Sequence, residues 1–242
     1  MTGSDAALPR TDLVWTRLPV ERVSRPALTV QRVVEAAVRL ADAEGVDAVS
    51  MRRIATETST GTTSLYRLFN GKEDLLELMV DAVYGESLLP ELPSGDWRED
   101  LRLVGVESRR LMLRHPWLAA VLGSRPPIGP NALRHMDFAL AAARGATDDA
   151  TQACGLVDAV SSLVMGSVVF EVAELEAQRR TGLDEGEWRQ MVGPYLSQVV
   201  ASGRYPEVNR RVLEAEDRTH DQQFELGLGL LLDGIATRLG AS

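Results

Sequence analysis

From residue 30 onward the apolar positions fall at helical spacing. Val30, Val33, Val34, Ala37, Val38 and Ala41 recur at i, i+3, i+4, i+7, i+8 and i+11, one stripe of an α-helix. Thr29 is placed to cap its start and Gly45 to end it. A second helix is expected from Met51 to about Thr58, with Ser50 as N-cap. A third is expected from Thr62 to Phe69, with Leu65, Leu68 and Phe69 on one side. Asn70 with Glu73 three residues on reads as a capping box. The helix it opens carries Leu75, Leu76, Leu78, Met79, Ala82 and Val83.

Beyond the Leu- and Pro-containing joint Leu88–Pro93, Asp96 with Glu99 marks another N-terminus. That helix runs to His115, where Pro116 stops it. A Pro/Gly loop follows at Gly123–Pro130, and further helices are predicted over 131–144, 148–180, 184–202 and 217–239. Residues 1–28 hold Pro9, Pro19 and Pro26 and read as a loose arm with a short helix around Leu13–Leu18. No stretch alternates apolar and polar residues with β-branched enrichment, so the fold class is all-α.

Composition narrows the chemistry. One cysteine in 242 residues excludes a disulfide framework or a multi-Cys zinc site within one chain. Cys154 sits between Ala153 and Gly155 in an apolar stretch and reads as a buried, inert thiol. His115, His135 and His220 are too scattered for a metal cage, and His115 and His135 read as structural. No run of about 18 uncharged apolar residues appears, so no membrane-crossing helix is expected. The N-terminus lacks a basic stretch followed by an apolar run, unlike a secretory signal. A soluble, cytoplasmic protein is expected. No GxSxG, P-loop, HExxH or Glu-x-x-His pattern appears, which speaks against an enzyme.

Charge is unevenly placed. Residues 25–72 hold seven basic and five acidic side chains, net +2, whereas residues 73–242 hold 16 basic and 27 acidic, net −11. A mildly basic segment on an acidic body fits an anion-binding module on a regulatory or catalytic domain. Three helices within about forty residues, the last two short and joined by the turn Thr58–Gly61, fit a helix-turn-helix. The third begins Gly61-Thr62-Thr63-Ser64, small and hydroxyl-bearing, so it can approach DNA closely. Arg52 and Arg53 stand at the start of the second helix. On helix lengths alone, DNA binding is favoured, with an ordinary helical hairpin in an α-bundle as the alternative reading.

The run MRRIATETSTGTTSLYRLFNGKEDLL, Met51–Leu76, resembles the DNA-binding segment of the tetracycline-repressor (TetR) family. Its most specific part is Ser-Leu-Tyr-Arg-x-Phe-x-x-Lys-x-x-Leu-Leu from Ser64 to Leu76. RHPWLAAVLGSRP (Arg114–Pro126) and FELGLGLLLDGI (Phe224–Ile235) are similar to the family's ligand domain of the tetracycline-repressor type. The resemblance implies a DNA-binding domain over 25–73, a ligand-binding and dimerisation domain over 74–242, and an arm over 1–24. It places Arg52, Thr62, Thr63 and Arg67 against bases or their immediate backbone. Ser50, Ser64, Tyr66 and Lys72, the only lysine, fall against phosphate. Hydroxyls and ammonium are phosphate partners, and a guanidinium reads guanine. Ile54, Ala55, Leu65 and Phe69 are expected in the core. Three positions depart from the family's pattern: Ser59 replaces the usual turn glycine, Thr60 the apolar residue after it, and Leu68 a frequent His. If Ser59 needs a positive φ, it costs roughly 1 kcal/mol.

The resemblance further implies a homodimer that binds a pseudo-palindromic operator on double-stranded DNA, and release by a small effector. The dimer face is expected on the C-terminal helix, with Phe224, Leu228, Leu231, Leu232 and Ile235 and with Gly227 and Gly234 between them. Candidate pocket residues are Val104, Ser108, Met112, Trp117, Val121, Phe138, Val164, Met165 and Phe170, each of which reads equally as core. The family's drug-chelated magnesium site uses a His before a Leu-Gly-Thr-Arg-Pro run. Here the run is Leu122–Pro126 and the preceding residue is Val121. The family's acidic partner falls at Phe170, and Val104 and Ser108 replace its drug-binding Asn and Phe. Val and Phe supply no oxygen ligand, so no metal or other cofactor is expected and the effector is expected to be largely apolar or aromatic. A helical adaptor or enzyme without DNA affinity is the disfavoured alternative. Repressor and activator are not distinguished by the sequence.

Overall fold

The structure, a computed structural model, describes residues 13–17, 30–122 and 126–240. It is all-α, with no strand among the described residues. They fall into two compact units. One takes the chain up to Leu89 together with Arg114–Phe138; the other takes Pro90–Leu113 with the chain from Ala139 onward. The cap expected at Thr29, most of the arm, and Gly123, Ser124 and Arg125 of the Pro/Gly loop lie outside the described residues.

In the first unit, α1 (Val14–Arg17) buries Val14. Helix α2 (Val30–Glu44) buries Val33, Val34, Ala36, Ala37, Leu40 and Ala41, while Val30 and Val38 are only half-buried. The inward stripe is therefore turned slightly toward Leu40 from the one expected. Gly45, at φ 86°, ends α2 in a region of backbone space that a side chain disfavours. A 3-10 turn, Val46–Ala48, leads to α3 (Met51–Glu57), whose N-cap Ser50 accepts the Arg53 amide at 3.2 Å. Ser59 has φ 53°, the only non-glycine positive φ among the described residues. Helix α4 (Thr62–Tyr66) is shorter than expected. The chain then tightens, and Leu65 O accepts the amides of both Leu68 and Phe69 at 2.9 Å. Val33, Ala37, Val49, Ile54, Leu65, Phe69, Leu75, Met79 and Val83 form a core that solvent barely touches.

Asn70 does not cap α5 (Lys72–Tyr84). Gly71 occupies that position, and Asp74 reaches back so that its Oδ2 accepts the Asn70 amide at 2.8 Å. The expected box is therefore absent, since Gly71 offers no capping side chain. Past the end of α6 (Trp97–Arg114), the stop at Pro116 holds, but a five-residue helix α7 (Trp117–Val121) follows at once. Helix α8 (Pro130–Arg144) is anchored in this unit by buried Asp81. Its Oδ1 accepts the amides of Asn131 (2.8 Å) and Ala132 (3.0 Å), and its Oδ2 accepts Asn131 Nδ2 (3.0 Å). A carboxylate on the first amides of a helix meets both its unpaired donors and its positive end.

In the second unit, the carboxylate of Asp100 accepts the amides of Ser94 and Gly95 at 3.0 and 3.2 Å and so fixes the entry to α6. Helix α9 (Ala150–Thr181) turns Val157, Val160, Val164 and Val168 inward. Helix α12 (His220–Leu239) turns Phe224, Leu228, Leu232 and Ile235 inward, and the two helices pack together. A Cβ at Gly105 of α6 would meet Leu228 and Val160 at 3.2 and 3.3 Å, so a glycine there permits the close approach. Leu228 is therefore core of its own subunit. The apolar residues α12 exposes are Leu226 and Leu230, with Leu231 half-buried. Gly227 faces Leu163 of the same chain, and a Cβ at Gly234 would meet nothing within 4 Å. Cys154 is exposed on α9, not buried: it falls off the valine stripe, beside inward Ala153. Among the described residues, α9 alone is long and apolar enough to cross a membrane, although Asp158 and Glu171 break its run of uncharged residues. Between α9 and α12 stand α10 (Glu185–Ala201) and α11 (Pro206–Glu214). They pack on each other and bury no side chain, and the sequence reading had no helix at α11.

Candidate nucleic-acid interface

The local backbone dictates what α4 shows to solvent. Of the five residues of α4, Leu65 alone is buried, with no exposure. Thr62, Thr63, Ser64, Tyr66 and Arg67 are all exposed, Tyr66 at 59%. Gly61 carries no side chain before the helix, and a Cβ there would meet nothing within 4 Å. The result is a small-residue helix end flanked by one phenol and one guanidinium.

Around it the cations divide. Arg52 and Arg67 are exposed and pair with no described residue. Arg53 is committed to Glu44 (2.7 Å) and Glu57 (3.1 Å) and so contributes little net field. Lys72 is half-buried, with Nζ donating to Val46 O at 3.3 Å, which ties the start of α5 to the 3-10 turn and leaves two ammonium protons for an outside acceptor. Ser50 spends one lone pair on its cap and keeps its hydroxyl proton. The structure brings the eight sequence-derived residues onto α3, α4 and the start of α5, all within the first unit.

The candidate effector residues are not assembled in the same way. Trp117, Val121 and Phe138 belong to the first unit; Val104, Ser108, Met112, Val164, Met165 and Phe170 belong to the second. Trp117 and Phe138 are buried and Val121 half-buried; Val104, Met112 and Val164 are buried, and Ser108 and Met165 half-buried. Phe170 is 75% exposed and points out of the helical core, into a cleft of about 740 Å3 bordered by α9, α10, the 215–218 loop and α12. Its neighbour Glu171 turns inward and pairs with Arg109 of α6 at 2.5 Å. Arg109 also lies 4.9 Å over the Phe224 ring. In that loop, the Arg211 guanidinium bonded to Asp217 holds its carboxyl below the usual carboxylate range, with Arg189 adding to the effect.

Three buried or bridging acids, Asp42, Glu86 and Asp81, were not singled out by sequence reasoning. Asp42 Oδ1 accepts Trp117 Nε1 (2.7 Å) and lies 2.8 Å from His115 Nδ1; Glu86 Oε2 pairs with Arg114 (3.1 Å) and lies 3.2 Å from His115 Nε2. The signal was the RHPW run itself, a cation, an imidazole and an indole N–H in four residues, which require acceptors when buried. His135 packs edge-on against Tyr84 at 5.1 Å, and burial pushes the Tyr84 phenol up to about 12.

Residues 33–79 match the family model described as bacterial regulatory proteins, tetR family, and residues 89–239 match that of the tetracyclin repressor-like C-terminal domain. The chain is 41% identical to the HTH-type transcriptional repressor DrrR1 of Streptomyces coeruleorubidus, covering 100% of this chain and 92% of that one. It is 39% identical to an HTH-type transcriptional regulator of Saccharopolyspora erythraea, over 94% and 92% of the two chains. Among solved structures, apo ActR from Streptomyces coelicolor superposes with a TM-score of 0.75 at 29% identity, covering 90% of this chain and 99% of that one. ActR in complex with actinorhodin gives 0.73 at 31% identity, over 90% and 100%.

Proposed function

The chain belongs to the TetR family of DNA-binding transcriptional repressors, and on that premise we propose that two copies bind one pseudo-palindromic operator and release it when a small effector binds. The observation that carries this reading is the outward face of α4, where Thr62, Thr63, Ser64 and Tyr66, with the adjoining Arg67, are exposed and only Leu65 is buried. In this reading residues 25–73 form the DNA-binding domain, residues 74–242 bind effector and dimerise, and residues 1–24 are an arm. Thr62, Thr63, Arg52 and Arg67 read bases in the major groove. Ser50, Ser64, Tyr66 and Lys72 hold phosphate. The protein acts on cytoplasmic DNA.

Dimerisation follows from what α9 and α12 leave uncovered. Val169 (51%), Phe170 (75%) and Leu230 (63%) are apolar and exposed on the two helices that already pack together. A second copy covering them removes that area from water at roughly 25 cal/mol per Å2. The candidate effector residues of the second unit are Val104, Ser108, Met112, Val164 and Met165. Phe170 belongs with the dimer face. Apolar walls with one hydroxyl select a largely apolar or aromatic ligand held by shape, and the solved complexes of ActR with actinorhodin and with (S)-DNPA support small-molecule control in a relative.

Selection from random duplex DNA tests the reading. Enrichment of an inverted repeat with half-site centres about 34 Å apart is the expected result; enrichment of no repeat overturns it.

A further inference from the structure

Helices α10 and α11 are well made locally and poorly covered. Asp184 and Glu187 close a capping box at the start of α10, and Gly203, at φ 63°, turns the chain toward α11. Asn209 Nδ2 donates to Val200 O at 3.1 Å and ties the two helices together. Yet neither helix buries a side chain, and each leaves an apolar stripe in water. On α10 the stripe is Trp188, Met191 and Tyr195; at α11 it is Tyr205, Val208 and Val212, both at i, i+3 and i+7. These six side chains are between 40% and 67% exposed. Helices of 17 and 9 residues are marginal in water without a packed apolar face, so these stripes need a cover.

Charge sets nucleic acid and an anionic lipid surface aside as the cover. From Glu185 to Glu214 four acids meet four arginines, a net charge of zero. Arg189 pairs with Glu185 and Asp217, Arg210 with Glu214, and Arg211 with Asp217, so these ionic groups are largely spent within the chain. What is left to partner is apolar. Area then favours a second copy of this chain. The exposed parts of Val169, Phe170, Leu226 and Leu230 on α9 and α12 come to roughly 400 Å2, and with the polar share of a homodimer interface that patch supports only about 600 Å2 per copy. A stable interface needs about 800 Å2 per partner, and an obligate one more. The six hairpin side chains add roughly 700 Å2. The two patches are also continuous, because Phe170 lies in the cleft that α9 and α12 share with Glu185 and Arg189 of α10.

We propose that the α10–α11 hairpin is a clasp that closes on a second copy of this chain, so that the stripes of each copy are covered by the other about one two-fold axis and the partner fills the cleft at Phe170. The clasp supplies most of the apolar area of the dimer, and the α9/α12 face alone does not hold two copies together. Operator affinity depends on the clasp indirectly, because two reading helices are presented together only in the dimer. The inference rests on the dimer reading above and adds the surface that makes that dimer hold.

The test is sedimentation of the full chain at micromolar concentration and below, where the wild type is expected to be dimeric. Met191→Arg combined with Tyr195→Arg should keep the helical circular dichroism of the wild type, since both side chains face water in the subunit. It should raise the dimer dissociation constant by about a hundredfold or more. Tryptophan emission gives a second measure. Trp188 is one of four tryptophans, and dilution through the dissociation constant should move the emission to the red; in Trp188→Phe that shift should be gone. A double variant as dimeric as the wild type, or a red shift that Trp188→Phe keeps in full, overturns the clasp and leaves the dimer itself standing. A wild type that is monomeric throughout overturns the dimer reading and the clasp with it. Flotation of the wild type with phosphatidylglycerol vesicles, with no change of emission on dilution, assigns the stripes to a membrane and also overturns the clasp. If the double variant loses its helical signal, the emission comparison decides alone.

Discussion

At the scale of single residues, a side chain's worth depends on whether its neighbours already use it. Lys72 donates inward to Val46 and has protons left for phosphate. Lys72→Ala is therefore expected to weaken binding to every duplex alike and to reduce the slope of log affinity against log salt by about one, read by fluorescence anisotropy at several salt concentrations. Thr63→Ala and Arg67→Ala should instead change the order of preference among operator variants. Ser59 at φ 53° carries the strain that a turn glycine avoids. Ser59→Gly is expected to raise unfolding stability by up to about 1 kcal/mol in urea denaturation, with no change in operator preference. Tyr84 gives a pH prediction with a definite sign. A phenol whose pKa is raised on folding stabilises the protein while it stays protonated, and that contribution is lost as pH climbs from the ordinary 10.0 toward about 12. Absorbance titration should show a late step near 12 that Tyr84→Phe removes.

Among the elements, those that bury a stripe were legible and those that do not were not. Helix α2, α5, α6, α9 and α12 follow from apolar spacing because each presents one face to a core. Helix α11 buries nothing, so no stripe announced it, and only Pro206 at its first turn marks the start. Helix α7 is hidden behind Pro116, which ends one helix and opens the next. Spacing also could not tell which of two apolar faces on one helix looks inward. That is why Leu228 read as an interface residue and Cys154 as a buried one. The exposure of Thr62, Thr63, Ser64 and Tyr66 was legible in the sequence, because the single inward Leu65 turns the rest of α4 outward. The division can be measured. Leu228→Ala should cost about 2–5 kcal/mol of stability as a core deletion. Leu230→Arg, exposed in the subunit, should leave the melting temperature of the monomer near normal but yield monomers in sedimentation, with much weaker operator affinity.

For the whole molecule, the proposed functional cycle is a competition between operator and effector for two states of a dimer, in which an effector acts only through its difference in affinity for them. The positions that hold a chelated drug in the tetracycline-type site carry Val121 and Phe170 here, and Glu171 is occupied by Arg109. Release by the true effector is accordingly expected to survive EDTA. Tetracycline with magnesium is expected neither to raise the thermal midpoint nor to free the operator in a gel-shift assay; doing both at micromolar concentration would refute the apolar pocket.

The long valine-faced helix α9 has one more consequence, during synthesis. Its packing partner α12 ends 58 residues after α9 does. At translation speeds of about 5–20 residues per second, the inner valines wait roughly 3–12 s for the leucines that cover them. Through that interval the nascent chain shows a sticky, membrane-like segment on both of its faces. Production of this repressor should therefore depend on holding chaperones at the ribosome, and a premature stop between Thr181 and His220 should give an insoluble fragment rather than a weak regulator.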